Sequence, residues 1–249
     1  MSTVRLARFL ARAGVTSRRG AAELVATGRV AVNGAAPRGP GDPVDPAADR
    51  VTLDGRPLAL AGLAWLALHK PPGYVTSRCG TPRYRSIFSL LGSAPPSLVP
   101  VGRLDVLTEG LLLVTTDGEA AHRLMHPRWQ VPRTYRVEVS DAPTAAARAA
   151  LAGGVALEDG PVRPEQWRFR AEGRGRGGTL ELVLREGRSR EVRRLVAALG
   201  LGVRRLVRVA YGPVSLGSLE PGRSRRLDAR ETAALYAAVH LPLPSSLSG

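Results

Sequence analysis

The sequence is poor in the residues that form covalent cross-links and metal centres. Its 249 residues contain one cysteine, Cys79, which excludes an internal disulfide and any cysteine-rich metal site. Of the four histidines, only His122 and His126 stand at the i, i+4 spacing that could place both rings on one helix face. The pair lacks the glutamate of the H-E-x-x-H zinc motif, so we expect no bound metal.

Long apolar runs are also missing. No stretch of about 18 apolar residues is present, so the sequence predicts no transmembrane helix and no membrane partner. The first residues, MSTVRLARFLARAG, are too charged for a signal peptide, so we expect a cytoplasmic protein. Hydrophobic residues nevertheless make up 44% of the chain, which suffices for the core of one large domain or two modest ones.

Acidic charge is scarce relative to basic charge. The chain has 36 basic and 21 acidic residues, giving a formal net charge of +15. Lys70 is the single lysine, and this preference for arginine reflects a general composition bias. Such a bias does not require an imbalance between basic and acidic residues. The positive excess therefore indicates a polyanionic partner, and nucleic acid before a membrane surface.

The first fifty residues have the pattern of a small mixed module. Residues 3–13 predict a helix whose apolar face contains Leu6, Phe9 and Leu10. A second helix is expected over 18–26. Alternating apolar residues then predict a strand that runs into the turn pair Asn33–Gly34, and a second strand over 50–53. The pattern predicts an αα-ββ module.

Strands and helices are interspersed in the rest of the chain. Strands are expected near 63–69, 99–104, 111–115, 133–139, 164–169, 179–185 and 203–209, and helices over 118–125, 143–152, 189–199 and 228–239. This order is neither a regular β-α-β alternation nor an all-β series, so we expect an α+β fold with a mixed, largely antiparallel central sheet flanked by helices. We place the domains at 1–60 and 61–240, followed by a flexible tail over 241–249.

The segment RLARFLARAGVTSRRGAAELVATGRVAVNG resembles the S4 RNA-binding module, and the resemblance covers nearly the whole first module. It implies that this part of the chain binds RNA. Its arginines would contact phosphates, which provide affinity rather than sequence choice. The candidates are Arg5, Arg12, Arg18, Arg19 and Arg29.

The segment GRLDVLTEGLLLVTTDG (102–118) resembles the signature of the RsuA/RluB branch of pseudouridine synthases. Four further segments follow in the expected order, namely HKPPGYVTS, HPRWQVPRTYRVEV, EGRSREVRRLVAALG and RLVRVAYGPVSLGSL. The resemblance implies an isomerase that converts one uridine of ribosomal RNA into pseudouridine without metal or cofactor. Its partner would be ribosomal RNA or a precursor ribosomal particle, and a monomer would suffice.

The same resemblance assigns roles to residues of this sequence. Asp105 would be the catalytic carboxylate, held dry and ionised, and Tyr135 would stack on the flipped-out base. Arg193 would be the cation beside Asp105, with Arg190, Arg194 and Arg103 as open alternatives. Contacts to the substrate are expected from Arg103, Leu206, Arg190 and Lys70, although Lys70 fits a structural role equally well. Many members of this branch carry glutamine where this chain has Glu191.

Two other function classes remain. An S4-type RNA-binding or ribosome assembly factor without catalysis would be indicated by loss of the Asp105, Tyr135 and Arg193 set, and all three residues are present. A basic DNA-binding protein would prefer duplex DNA, for which neither an S4 module nor a carboxylate pocket gives a reason.

Overall fold

The computed structural model describes residues 3–17, 19–60, 62–92, 95–172, 177–244 and 247. Within these residues the chain forms two units, each described here by itself. One comprises the described residues of 1–64, 93–99 and 115–118, and the other comprises those of 65–92, 100–114 and 119–249. Arg18 and residues 245, 246, 248 and 249 of the expected tail lie outside the described residues.

The first unit contains the expected two helices and short strands. Its elements are β1 (Val4–Arg5), α1 (Leu6–Arg12), α2 (Gly20–Ala26), β2 (Val30–Val32), β3 (Pro43–Val44), β4 (Val51–Leu53) and β5 (Arg56–Pro57). The apolar face of α1 is buried, with Leu6 and Leu10 at 0% exposure. It packs in one core with Ala21, Val30 and Val51 from the elements that follow.

Local hydrogen bonds explain where the elements of the first unit begin and end. Helix α2 begins at Gly20, later than expected, and the Gly20 amide donates to Ser17 Oγ at 3.1 Å. The turn at Asn33 and Gly34 has φ angles of 53° and 82°, the left-handed pair expected there. Asn33 Nδ2 also donates to Asp49 Oδ1 at 2.8 Å, which fixes the turn to the chain before β4.

From residue 65 onward the chain builds a larger mixed sheet. The elements are β6 (Trp65–Lys70), β7 (Tyr74–Val75), β8 (Arg85–Ser86), a 3₁₀ turn (Ile87–Leu90), β9 (Val99–Pro100), β10 (Glu109–Thr115), α3 (Gly118–Met125), a 3₁₀ turn (Pro127–Trp129), β11 (Arg133–Val139), α4 (Ala145–Gly153), β12 (Gln166–Ala171), β13 (Gly178–Leu184), α5 (Glu191–Ala198), β14 (Val203–Tyr211), β15 (Val214–Ser215), β16 (Ser224–Arg226) and α6 (Ala229–Ala238).

The main sheet has the order β12-β13-β11-β14-β10-β6-β16. Strand β10 pairs in parallel with β14, whereas β11 pairs antiparallel with both β13 and β14. Residues of β11 alternate, with Tyr135, Val137 and Val139 buried in one core together with Leu151 of α4 and Leu195 of α5. The α+β class and the mixed, largely antiparallel sheet are thus confirmed.

One predicted strand is shorter than expected, and strand β16 was not predicted. The strand expected over 99–104 ends at Pro100, because Gly102 takes a φ of 77° and the chain turns into a loop. Strand β16 was missed because its sequence, Ser-Arg-Arg, has no apolar alternation. Helix α6 begins with a capping box, in which Glu231 N donates to Asp228 Oδ1 at 2.7 Å and Asp228 N donates to Glu231 Oε2 at 3.1 Å. No helix in the described residues is both long and apolar enough to span a membrane.

Gly110 is required where β10 meets β14. It lies opposite Arg208 in the parallel register and has a φ of 106°. A Cβ atom at Gly110 would collide with the backbone oxygen of Arg208 and lie 2.7 Å from its nitrogen. Only glycine therefore allows this close approach of the two backbones.

We predict that Gly110→Ala destabilises the protein by roughly 3 kcal/mol or more, because backbone strain and a backbone collision act together. Urea denaturation of the two proteins measures the difference. Gly217→Ala is the matched control, because Gly217 also has a positive φ, 57°, but has no atom within 4 Å of the added Cβ. Equal losses in the two variants would contradict the role of the close approach.

Candidate active site

The loop of residues 103–108 carries Asp105 between β9 and β10. Hydrogen bonds from the Lys70 side chain and the Gly73 amide hold this loop in place. The Lys70 ammonium donates hydrogen bonds to the backbone oxygens of Pro71 at 3.1 Å, Val106 at 3.2 Å and Thr108 at 2.7 Å. The Gly73 amide also donates to the Val106 oxygen, at 2.8 Å. Two residues of the loop are thereby fixed to the end of β6 and the turn that follows it.

The geometry of Lys70 corrects the expectation that it contacts RNA. Its side chain has 0% exposure, and the three N–H bonds of an ammonium match its three carbonyl acceptors. Burial lowers the pKa of Lys70 to about 8, with the nearby Arg208 acting in the same direction and the charges of Asp105 and Glu109 acting against it. At neutral pH Lys70 is therefore a buried cation close to Asp105.

Asp105 itself is exposed, which corrects the expectation of a carboxylate already held dry. Among the described residues, no hydrogen bond or ion pair within 4.0 Å reaches its carboxylate oxygens. Lys70 and Arg193 interact with it electrostatically at longer range. In the free protein the carboxylate is thus solvated and surrounded by cations that do not touch it.

Arg193 lies on the first turns of α5, and its Nη2 donates to the backbone oxygen of Leu107 at 3.0 Å. Burial lowers the pKa of Arg193, the charge of Asp105 opposes this change, and the charge of Arg190 adds to it. Arg193 therefore holds the loop of Asp105 by a backbone contact. That it pairs with Asp105 stays a prediction.

The three alternatives to Arg193 as the cation beside Asp105 differ in their surroundings. Arg194 is held by Asp159 through two hydrogen bonds of 2.9 and 2.8 Å, so it is not available to Asp105. This pairing lowers the pKa of Asp159. Arg190 and Arg103 are both exposed, and both line the same cavity as Asp105. They remain candidates for contacts to a substrate.

A cavity of about 650 Å³ joins the expected site residues of the second unit. This volume is within the range of sites for small molecules and single nucleotides. Tyr135 of β11 and Leu206 of β14 form part of its wall, with exposures of 9% and 3%. The cavity also includes Asp105, Arg193, Arg103 and Arg190. Residues from four separate sequence segments therefore meet at one place.

The cavity wall also contains two buried arginines that were not predicted as site residues from the sequence. Arg133 Nη1 donates to the Arg185 oxygen at 3.0 Å, and its Nη2 donates to the Tyr211 hydroxyl at 3.2 Å. Arg208 Nε donates to the Leu111 oxygen at 2.8 Å, whereas its buried Nη2 has no partner in the described residues. Each stands two positions from an expected wall residue, Tyr135 or Leu206, and this alternation is the signal that could have identified them.

Glu191 is a buried carboxyl group in the same wall. Its exposure is 5%, its Oε1 has no hydrogen-bond partner in the described residues, and Arg188 Nε lies 3.9 Å from that oxygen. Burial raises the pKa of Glu191 to about 7, the charge of Glu186 adds to the effect, and Arg188 and Arg133 oppose it. The extra negative charge that the sequence suggested is therefore partly removed by protonation near neutral pH.

The arginines expected to bind RNA in the first unit differ in availability. Arg5 and Arg19 are exposed, and Arg12 is half-buried. Arg29 is exposed but forms an ion pair with Asp54, with hydrogen bonds of 3.0 and 2.6 Å, and this contact raises the pKa of Arg29. Arg29 would have to exchange this partner to bind a phosphate.

The described residues contain no group of three or more side chains arranged to hold a metal ion. The rings of His122 and His126 are 5.7 Å apart, and His126 Nδ1 accepts a hydrogen bond from the Arg128 amide at 3.1 Å. His126 thus serves as the cap of a short 3₁₀ turn.

Comparison with known families gives matches in both parts of the chain. A family described as RNA pseudouridylate synthase matches residues 64–198, more than half of the chain, and the S4 domain family matches residues 4–51. The chain belongs to the RNA pseudouridylate synthase family. These matches confirm the resemblance seen in the sequence. Pseudouridine synthases are isomerases.

Relatives of the pseudouridine synthase family match this chain over most of its length. An uncharacterized RNA pseudouridine synthase of Aquifex aeolicus is 40% identical over 97% of both chains. A ribosomal large subunit pseudouridine synthase B of Bacillus subtilis is 33% identical over 94% of this chain and 96% of its own. The protein of that name from Pseudomonas aeruginosa is 41% identical over 98% of this chain, which corresponds to 64% of the longer relative.

A solved structure of the family agrees with the fold. A crystal structure of a pseudouridylate synthase matches with a TM-score of 0.64 and 30% sequence identity. The match covers 93% of this chain and 99% of that one.

We predict that Glu191→Gln stabilises the enzyme more at pH 8 than at pH 5. The pKa of Glu191 is about 7 in the folded protein, above its ordinary value of 4.5, so folding favours the protonated form. Wild-type stability is therefore lost as the pH rises from about 4.5 to about 7 and stays low above that range. The uncharged glutamine avoids a penalty of up to about 3 kcal/mol at high pH.

Thermal unfolding of both proteins across this pH range measures the difference. Glu220→Gln is the control, because Glu220 is exposed and lies outside the cavity wall. A constant difference between Glu191→Gln and the wild type at every pH would contradict the prediction.

Proposed function

We propose that this pseudouridine synthase modifies a uridine of large-subunit ribosomal RNA and that Asp105 is its catalytic carboxylate. The observation that carries the proposal is the common cavity of Asp105, Tyr135, Arg193 and Leu206, which come from separate segments of the chain. The names of the relatives from Bacillus subtilis and Pseudomonas aeruginosa support the choice of RNA.

The reaction breaks the bond between ribose C1′ and uracil N1 and forms a bond between C1′ and C5. The proton on C5 is lost and N1 gains a proton, so atoms and electrons balance without any external group. The reaction therefore requires neither a metal nor a cofactor. Asp105 acts either as a nucleophile or as a base that takes the C2′ proton, and both routes need an ionised carboxylate at the sugar.

Charges around the cavity suit this chemistry. A bound nucleotide covers Asp105 and removes the water around its carboxylate, and taking a charge out of water costs free energy. Lys70 and Arg193 counteract this effect, because attraction between opposite charges grows as water leaves the site. The cavity wall also contains the buried arginines Arg133 and Arg208, so its positive charge favours an RNA segment with its phosphates.

Tyr135 and Leu206 provide the apolar part of the cavity. A uridine that has left its helix loses stacking with its neighbours, at a cost of a few kcal/mol. The Tyr135 ring replaces one stacking partner, and stacking on an aromatic side chain contributes roughly 1–3 kcal/mol per base. Leu206 packs beside it in the same core. The two residues therefore hold the base while Asp105 faces the sugar.

The two parts of the chain divide the work. Residues 1–60 bind RNA through arginines such as Arg5, Arg12 and Arg19, and residues 61–240 perform catalysis, with 241–249 as a tail. The family matches at residues 4–51 and 64–198 support this division. The substrate is ribosomal RNA or a precursor particle in the cytoplasm, and the enzyme acts as a monomer because one chain contains every residue of the proposed site.

We predict that Asp105→Asn abolishes modification of one or a few uridines while RNA binding persists. The substitution keeps the size of the side chain and removes the carboxylate, so the rate should fall at least about a thousandfold. Pseudouridine mapping in ribosomal RNA from cells with the wild type or the variant identifies the lost sites. Asp141→Asn, an exposed aspartate outside the cavity, is the control.

An unchanged map in Asp105→Asn cells, with the variant folded and expressed, would overturn this proposal. RNA binding without any modification by the wild type would instead favour the assembly factor.

A further inference from the structure

Two large hydrophobic side chains stand exposed in the described residues, and both lie at the proposed active site. Leu107 has an exposure of 65% and Met125 an exposure of 38%. Leu107 follows Asp105 by two positions, and Met125 lines the same cavity. A single exposed leucine on a protein surface needs no explanation. Both such residues beside one proposed catalytic carboxylate indicate a contact surface.

The backbone of Leu107 is held in place while its side chain projects. Thr108 N donates to the Asp105 oxygen at 3.0 Å, which closes a turn over residues 105–108. Lys70 binds the oxygens of Val106 and Thr108, and Arg193 binds the oxygen of Leu107 itself. Three consecutive carbonyl groups are therefore fixed by cations. The exposure of Leu107 is thus a property of an ordered turn.

The chemistry around Leu107 points to nucleic acid as its partner. The exposed Arg103 and Arg190 line the cavity beside it, and their charges suit the phosphates on either side of a target nucleotide. Apolar side chains such as leucine and methionine are known to enter base steps of nucleic acids as wedges and to unstack them. A target uridine has to leave its stack before its sugar can reach Asp105.

We propose that Leu107 is a wedge that fills the gap left by the flipped-out uridine in the base stack of the substrate RNA. This inference rests on the proposed function. The leucine side chain occupies the space into which the uridine would return, and it gains apolar contact with the neighbouring bases. Met125 adds a second exposed apolar side chain at the rim of the cavity. Leu107 is a positioning residue, because it holds the RNA and does not touch the reacting atoms.

The first test is the rate of pseudouridine formation in a single turnover, with unmodified large-subunit ribosomal RNA made by transcription. Leu107→Ala should lower this rate at least about tenfold at saturating RNA, whereas the Kd for RNA changes less than about threefold, because the arginines dominate binding. Leu107→Met keeps an apolar side chain of similar volume and should retain the wild-type rate. Thermal unfolding should be unchanged, because Leu107 is exposed.

The second test measures base flipping without catalysis. A stem-loop with the mapped target uridine carries 2-aminopurine as its neighbour, and its fluorescence rises when the uridine leaves the stack. The Asp105→Asn protein should raise the fluorescence, and Asp105→Asn combined with Leu107→Ala should reduce that rise by at least about half. Asp105→Asn combined with Leu107→Met should restore it.

The possible outcomes distinguish failure of the proposed wedge from failure of the proposed function. A Leu107→Ala rate within twofold of the wild type, or an equal fluorescence rise with and without Leu107, overturns the wedge and leaves a protein partner as the reason for its exposure. If the wild type forms no pseudouridine in any ribosomal RNA, the proposed function fails. The fluorescence assay then uses a stem-loop taken from the RNA that the protein binds, and an unchanged signal there overturns the wedge as well.

Discussion

The buried ammonium of Lys70 is the interaction on which the arrangement of the active site depends. It joins β6, the turn after it and the loop of Asp105 through three backbone oxygens. A charged hydrogen bond is stronger than a neutral one, and a buried ammonium that lost these acceptors would carry a large desolvation penalty. The loop therefore cannot move away from Lys70 without a substantial cost. Lys70 thus holds the loop together with Arg193 and the Gly73 amide, and it places positive charge near Asp105.

Burial shifts the pKa values of two groups at this site in opposite directions. It lowers the pKa of Lys70 to about 8 and raises that of Glu191 to about 7, so each group moves towards its neutral form. Asp105, in contrast to these two groups, is exposed to water. The enzyme thus keeps its proposed catalytic carboxylate in water and surrounds it with cations that are already in place. Desolvation of Asp105 is deferred until RNA binding can supply the free energy for it.

Much of the fold could be predicted because many of its elements are marked by residues that are close together in the sequence. The α3 bounds 118–125, the capping box at Asp228 and the turn at Asn33 each depend on neighbours in sequence. The resemblance also identified residues that the structure brings to one cavity. It did not distinguish Lys70 as a contact to RNA from Lys70 as a structural residue, because that choice depends on acceptors 36 and 38 positions away. In a chain with so many arginines, composition could not single out Arg133 and Arg208, and their two-residue spacing from Tyr135 and Leu206 was the available signal.

The dependence of the site on distant backbone contacts extends from Lys70 to the sheet itself. Strand β10 continues directly from the loop of Asp105, and its second residue, Gly110, meets the backbone of Arg208 on β14. Because Arg208 and Leu206 are on the same strand as part of the cavity wall, the glycine sets the distance between the loop and that wall. The absence of one Cβ atom therefore allows β10 and β14 to approach closely at the point where the loop of Asp105 joins the sheet.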